Sequence, residues 1–257
     1  MVNLLVAAAA LGAASPALPP DNADPAIFMV RDADTTVYLF GTFHALDGQS
    51  EWFNDQVRDA FEKSNELVLE TLVPEGPIVP KPAIRMPNVT ASASFLATTR
   101  MAINAGKSQG MQVGNGADMV LRHVAELEGK PVEGLETLES QLNMFTKMPQ
   151  PAAPQPGSAP NPASMDNLSK AMVDMQAAWK RGDQSVFVRM LSQLKQASPD
   201  TYRMLFTERN ARWADWIAGR MQTPGTVFVA VGAGHLAGND SVLVRLAQMG
   251  IPSTRVN

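Results

Sequence analysis

Two of the chain's three histidines follow a glycine by three residues, each just past a run of strand-forming residues. G-T-F-H, Gly41 to His44, comes directly after T-V-Y-L-F, and G-A-G-H, Gly232 to His235, directly after T-V-F-V-A-V. In an α/β sheet, ligands gather at the carboxyl ends of the strands. Glycine there permits a positive φ and close backbone approach, so the chain can turn and aim the next side chain across the strand ends. Glu70 closes the apolar run E-L-V-L-E and points to the same rim. Two imidazoles and a carboxylate are a common divalent-metal set with positions left open. Bound metal polarises a carbonyl and acidifies its water. The same three groups could instead do metal-free acid–base chemistry. In E-R-N, Arg209 offers a guanidinium to a carboxylate or oxyanion, and Asn210 offers one hydrogen bond. His123 lies mid-helix without a preceding glycine and reads as structural or surface.

The elements that must position these groups follow from periodicity. A-I-F-M-V (26–30) and T-V-Y-L-F (36–40) flank an Asp-rich turn and predict a hairpin. Phe53, Val57 and Phe61 recur at helical spacing, which predicts a helix over 51–64 with Ser50 as its N-cap. Residues 66–70 and 226–231 are continuous apolar runs, as in buried, mostly parallel strands. Helices are predicted around 92–105, over 117–128, and at roughly 166–181, 183–196 and 199–221. P-V-E-G-L-E-T (131–137) reads as a strand opening into a helix, and a last helix at 242–249 precedes a final strand in S-T-R-V. Residues 74–90 are Pro-rich loop, and 149–164 are a Pro/Ala-rich surface insertion that is extended and partly disordered. The prediction is an α/β fold: a mixed or mostly parallel central sheet built from both chain ends, with a long helical middle.

Composition bounds the function. The 257 residues carry a net charge of −4 and no block of Lys and Arg, which argues against nucleic acid as a partner. The absence of cysteine removes disulfides, thiolate metal sites and a cysteine nucleophile. No G-x-S-x-G, H-E-x-x-H, P-loop or G-x-G-x-x-G occurs. Of fifteen methionines, Met165, Met172 and Met175 fall at helical spacing and read as core filler rather than copper ligands. Residues 1–20 are uncharged, rich in Leu, Val and Ala, and resemble a secretory signal without its basic start. The expectation is an exported, periplasmic or secreted bacterial protein with no stable membrane span after signal removal.

V-Y-L-F-G-T-F-H, E-L-V-L-E, G-K-P-V-E-G-L-E-T-L-E-S-Q, W-K-R-G-D, E-R-N-A-R-W-A-D-W-I and V-F-V-A-V-G-A-G-H-L-A-G occur in that order. Together they resemble the TraB/GumN family, which is similar to the Tiki metalloproteases and, more distantly, to erythromycin esterases and haem-binding ChaN-like lipoproteins. The resemblance covers about 26–256 and implies a single α/β domain with both G-x-x-H motifs on one cleft. It further implies a divalent-metal-dependent hydrolase acting on peptides, with manganese or cobalt, or else zinc, held by His44, Glu70 and His235. Arg209 and Asn210 would line the site, and Glu136, in the family's L-E-T element, is either a structural carboxylate or a second acid of the cleft. The Pro/Ala stretch departs from the family, which usually continues helically there. Two other readings stay open: a metal-free esterase-like hydrolase, and a periplasmic protein that binds peptide or haem.

Overall fold

The computed structural model describes residues 24–48, 51–72, 101, 103–148 and 162–257. Residues 1–20, the Pro-rich 74–90 and most of the 149–164 insertion lie outside them, as does nearly all of the helix predicted from 92. The predicted hairpin is present: β1 (Ile27–Arg31) pairs antiparallel with β2 (Thr35–Thr42). Then come α1 (Asp55–Glu62), β3 (Glu66–Thr71), helical residues 103–107, α2 (Ala117–Leu127), β4 (Val132–Glu136) and α3 (Leu138–Lys147). The second half runs α4 (Pro162–Lys180), α5 (Ser185–Ala197), α6 (Pro199–Tyr202), α7 (Glu208–Arg220), β5 (Gly225–Gly232), α8 (Val242–Gln248) and β6 (Thr254–Arg255).

The six strands form one mixed sheet, in order β4-β3-β5-β2-β1-β6. β4, β3, β5 and β2 are parallel, and β1 is antiparallel to both β2 and β6. The central position of β5 explains its unbroken apolar run, because both of its faces are covered. Phe228 and Ala230 point to one layer, with Phe40, Leu67 and Leu69, beneath α1, α2, α4 and α5. Val227, Val229 and Val231 point to the other, with Leu39 and Val68, against Trp213 and Ile217 of α7 and Leu246 of α8. The strand period of two thus sorts one strand into two cores. Among the described residues no helix is long and apolar enough to cross a membrane.

Three predicted boundaries are corrected. The first helix begins at Asp55, capped by the Asn54 side chain accepting from the Val57 N–H. Trp52 and Phe53 stay outside it; Trp52 stacks on Phe40, and Phe53 meets Phe61 edge to face. α4 starts at Pro162, because proline suits a first helical turn, so the end of the Pro/Ala stretch is helical. The single helix expected over 199–221 is broken by a π-helical turn at Arg203–Thr207. Such one-turn insertions are frequent at functional sites, and this one immediately precedes Glu208 and Arg209.

Candidate active site

Parallel register does the first part of the positioning. Thr42 pairs with Gly232, Leu69 with Ala230, and Thr71 with Glu136, so β2, β5, β3 and β4 end side by side. His44 lies two residues past β2, His235 sits in a short 3₁₀ turn (Ala233–Leu236) past β5, and Glu70 is the penultimate residue of β3. The structure therefore brings together the three groups expected at one rim.

The glycines act by close approach rather than by positive φ. Gly232 has φ −51°, and Gly41 is not among the positive-φ glycines. A Cβ on Gly41 would stand 3.0 Å from Ala233 Cα, so its absence lets the two loops touch. A Cβ on Gly232 would stand 3.1 Å from Glu70 Oε1, 3.3 Å from His44 Nε2 and 3.6 Å from His235 Cδ2. The three side chains converge on the space that glycine leaves. The Trp179 indole of α4 donates to the Gly41 carbonyl at 2.6 Å and fixes the first loop from above.

Each histidine is anchored through Nδ1. His44 Nδ1 donates to Asp118 Oδ1 (3.2 Å), in the first turn of α2. His235 Nδ1 donates to Asn210 Oδ1 (2.5 Å), and Asn210 in turn donates from Nδ2 to the Asp240 carbonyl (2.8 Å). That network fixes the amide's orientation and leaves both Nε2 atoms free of a proton when the rings are neutral. The His235 ring is gripped between Phe206 and Trp213, at centroid distances of 4.8 and 4.4 Å.

Arg209 ties the rest together. Its Nη2 donates to Glu70 Oε2 (2.9 Å), its Nε to Glu136 (3.0 Å) and its Nη1 to His235 Nε2 (3.3 Å) and the Leu205 carbonyl. Leu205 belongs to the π-turn, so that irregularity supplies one of the acceptors. Glu70 Oε1 accepts from the Gly232 N–H (2.7 Å). The side chains of Arg209, Glu136 and His235 are each only 6% exposed, and a buried guanidinium between two carboxylates satisfies charges that would be costly alone.

The electrostatics separate the two histidines. Burial lowers His235, and Glu70's opposing pull does not prevent a fall to about 3, so its ring is neutral at neutral pH. At His44 desolvation also pulls downward, but the hydrogen bond and charge of Asp118, with Glu70 behind, outweigh it and raise the ring to about 9. This side chain is 60% exposed, so solvent screens the pair. Burial pushes the Glu70 carboxyl up, but His235, Arg209, His44 and the Gly232 N–H bring it down to about 2. Because His235 is uncharged above about pH 3, the permanent guanidinium of Arg209 is the nearest cation acting on Glu70 at neutral pH.

His44, Glu70, Arg209 and His235 line one cavity of about 540 Å³. Asn210 is expected to line the site, and Glu136 to be either a structural carboxylate or a second acid of the cleft. Asn210 instead stands behind His235 and Glu136 behind Arg209, each holding its neighbour. Three participants carry no distinctive sequence signal. Asp118 looks like any first-turn acid, and Thr42 and Thr71 like ordinary strand residues. Met172 and Met175, read as core filler, pack on the core and also line the cavity. His123 is exposed on α2.

One pair of the donors expected for a divalent cation stands at ligand spacing. His235 Nε2 and Glu70 Oε1 are 3.5 Å apart, and two ligands of one tetrahedral ion, each at about 2.1 Å, stand roughly 3.4 Å apart. Outer partners on the far ring nitrogen, here Asp118 and Asn210, are the usual support of metal-binding histidines. Among the described residues no three His, Asp or Glu side chains already stand grouped at ligand spacing. Arg209 donates to both His235 Nε2 and Glu70.

Comparison with protein-family models matches the TraB/PrgY/gumN family over residues 26–81 and 84–255. Searches among curated proteins and among solved structures return no match.

Proposed function

This chain belongs to the TraB/PrgY/gumN family, and from that premise we propose that it is a divalent-metal-dependent hydrolase of peptides that acts outside the cytoplasm. The observation that carries the reading is the shared anchoring of the two histidines. Asp118 and Asn210 take the Nδ1 positions, and both imidazoles meet Glu70 around the space left by Gly232. His44 and His235 would hold the cation through Nε2, and Glu70 through Oε1. Manganese or cobalt is the expectation, with zinc as the alternative. When bound, the ion supplies a polarised carbonyl and a water acidic enough to attack near neutral pH.

The chain's own groups orient and exclude. Arg209 keeps Glu70 Oε2 engaged, so Oε1 is the oxygen presented beside Gly232. Among the described residues one Nη2 N–H of Arg209 has no internal acceptor, and it is the donor we assign to the developing oxyanion. Asn210 prevents His235 from turning its ring, and the Phe206 and Trp213 faces keep water from it. A metal-free hydrolase would need an acid or base with a pKa near the working pH; Glu70 at about 2 and His235 at about 3 are weak bases, which leaves His44, raised to about 9, as the group such a mechanism would use.

Elemental analysis of gently purified protein tests the reading, wild type beside His44→Ala/His235→Ala. The expected result is near-stoichiometric metal in the wild type and none in the double variant. Cleavage of a mixed peptide library should stop on chelation and return with Mn²⁺ or Co²⁺. Equal trace metal in both proteins would overturn the ligand assignment, and cleavage that survives chelation would restore the metal-free alternative.

A further inference from the structure

His44, Glu70 and Thr42 line not one space but two. On one side the cavity of about 540 Å³ is walled by Ile103, Met111, Met172, Met175, Met190 and Phe206. Its size falls within the range of pockets that enclose small ligands, roughly 300–1,000 Å³. Methionine walls are apolar, polarizable and adaptable, and they fit apolar groups of differing outline. On the other side a smaller space of about 160 Å³ is bounded by Thr71, Asp118, Arg122 and Gln141. Here hydrogen-bonding groups stand among Leu69, Met119 and Ala230 in the walls. Two of them are orphaned: the buried hydroxyls of Thr42 and Thr71 have no partner among the described residues. Thr42 is only 2% exposed. A buried hydroxyl without a partner is destabilising, so two at one cleft point to a polar visitor that satisfies them.

We propose that the cleft is bipartite and takes an amphipathic acyl compound. A large apolar group fills the methionine-walled arm, and a hydrogen-bonding chain lies in the threonine arm. The amide that joins the acyl carbonyl of the apolar part to that chain crosses the strand ends at His44 and Glu70. The proposal rests on the hydrolase reading only for the fate of that bond; the two-armed recognition stands on the cavity walls and the unpaired hydroxyls. The apolar group has two chemical sources, the side chain of a peptide residue or an acyl chain joined by an amide.

Gly106 offers a clean way to close the apolar arm. It lines the cavity, and a Cβ there would meet Met111 and Met172 at 3.5 and 3.6 Å, ordinary contact distances. A Gly106→Leu side chain therefore starts without a clash and continues into the open space. Helix propensity favours leucine over glycine at such a position. Thr71→Val removes one orphaned hydroxyl with little change of shape.

The test is calorimetric binding of acetyl-, hexanoyl- and decanoyl-glycyl-glycinamide and of acetyl-phenylalanyl-glycyl-glycinamide to the full chain. Chelator is present throughout, so that turnover does not intervene. Affinity should rise about fourfold per buried methylene until the arm is full. Gly106→Leu should abolish the gain for the decanoyl and phenylalanyl ligands and leave the acetyl ligand unchanged. Thr71→Val should weaken all four by on the order of threefold to tenfold, with the thermal midpoint unchanged or higher. The tighter of the phenylalanyl and decanoyl ligands identifies the source, and either supports the proposal. A flat series, or a chain-length gain that survives Gly106→Leu, would overturn the apolar arm. A Thr71→Val protein that melts lower or binds as before would overturn the polar arm. Because binding is read without turnover, a protein that binds the series but cuts nothing retains this inference while the hydrolase reading fails.

Discussion

His44 and His235 sit in the same four-residue motif, yet one ring rises to about 9 and the other falls to about 3. The difference lies in the second partner. Asp118 gives His44 a carboxylate, which favours the proton, and Asn210 gives His235 a neutral amide inside an aromatic sleeve. Asp118→Asn should therefore bring the His44 titration down from about 9 toward the ordinary value near 6.5. It should also weaken metal binding by about 10–100-fold, the usual cost of losing such a partner. Imidazole resonances followed by NMR across pH read the first effect, and an unmoved titration would sink the assignment. The G-x-x-H histidines were legible because glycine, histidine and a strand run rarely coincide. Asp118 was not, since an acid in a helix's first turn serves the helix dipole as readily as a distant ring. Asn210 was legible as a member of the cluster but not as a support, and Glu136 was left between the two roles, because spacing does not say which side of a residue faces the cleft.

Among the elements, β5 and the glycine that ends it decide whether the cluster can assemble. Gly232→Ala should keep the fold, with a loss of about 1–3 kcal/mol from crowding, while the added methyl pushes Glu70 and His44 apart. Far-ultraviolet circular dichroism should be unchanged while metal content falls to background; full metal occupancy would refute this role for the glycine. The apolar runs made β3 and β5 readable, and two such runs flanking an Asp-rich turn did the same for β1 and β2. The π-turn at Arg203–Thr207 was hidden, because its residues have helical propensity throughout and only tertiary partners inserted the extra residue. Through it Leu205 and Arg209 meet, and Phe206 reaches the His235 ring. The cap at Asn54 was hidden for a related reason: Phe53 keeps helical spacing with Val57 but is held outside α1 by aromatic packing.

For the molecule as a whole, the buried site ties stability to pH. His235 is held neutral in the fold, so its contribution is complete above about 6.5 and is lost as pH falls toward 3. Glu70, held ionised, contributes above about 4.5 and loses that as pH falls toward 2. His44 acts in the opposite sense, contributing fully below about 6.5 and losing it as pH rises through 9, though its exposure shrinks the effect. Metal-free protein should be most resistant to urea near pH 6.5, with an acid limb approaching about 1.4 kcal/mol per pH unit for one proton. His235→Gln should flatten that limb between pH 6.5 and 4.5, and an identical slope in the variant would contradict the assignment.

The pairing of β2 with β5, from Thr35 opposite Gly225 to Thr42 opposite Gly232, joins distant parts of one polypeptide. Contacts of such long sequence separation form late and slowly, since a large loop must close first. A ribosome delivers the His44 loop long before the His235 loop. Until then β2 and β3 have no strand between them, and the cleft does not exist. Whatever this centre does, a chain that still lacks β5 cannot do it, and its competence waits on the arrival of that strand.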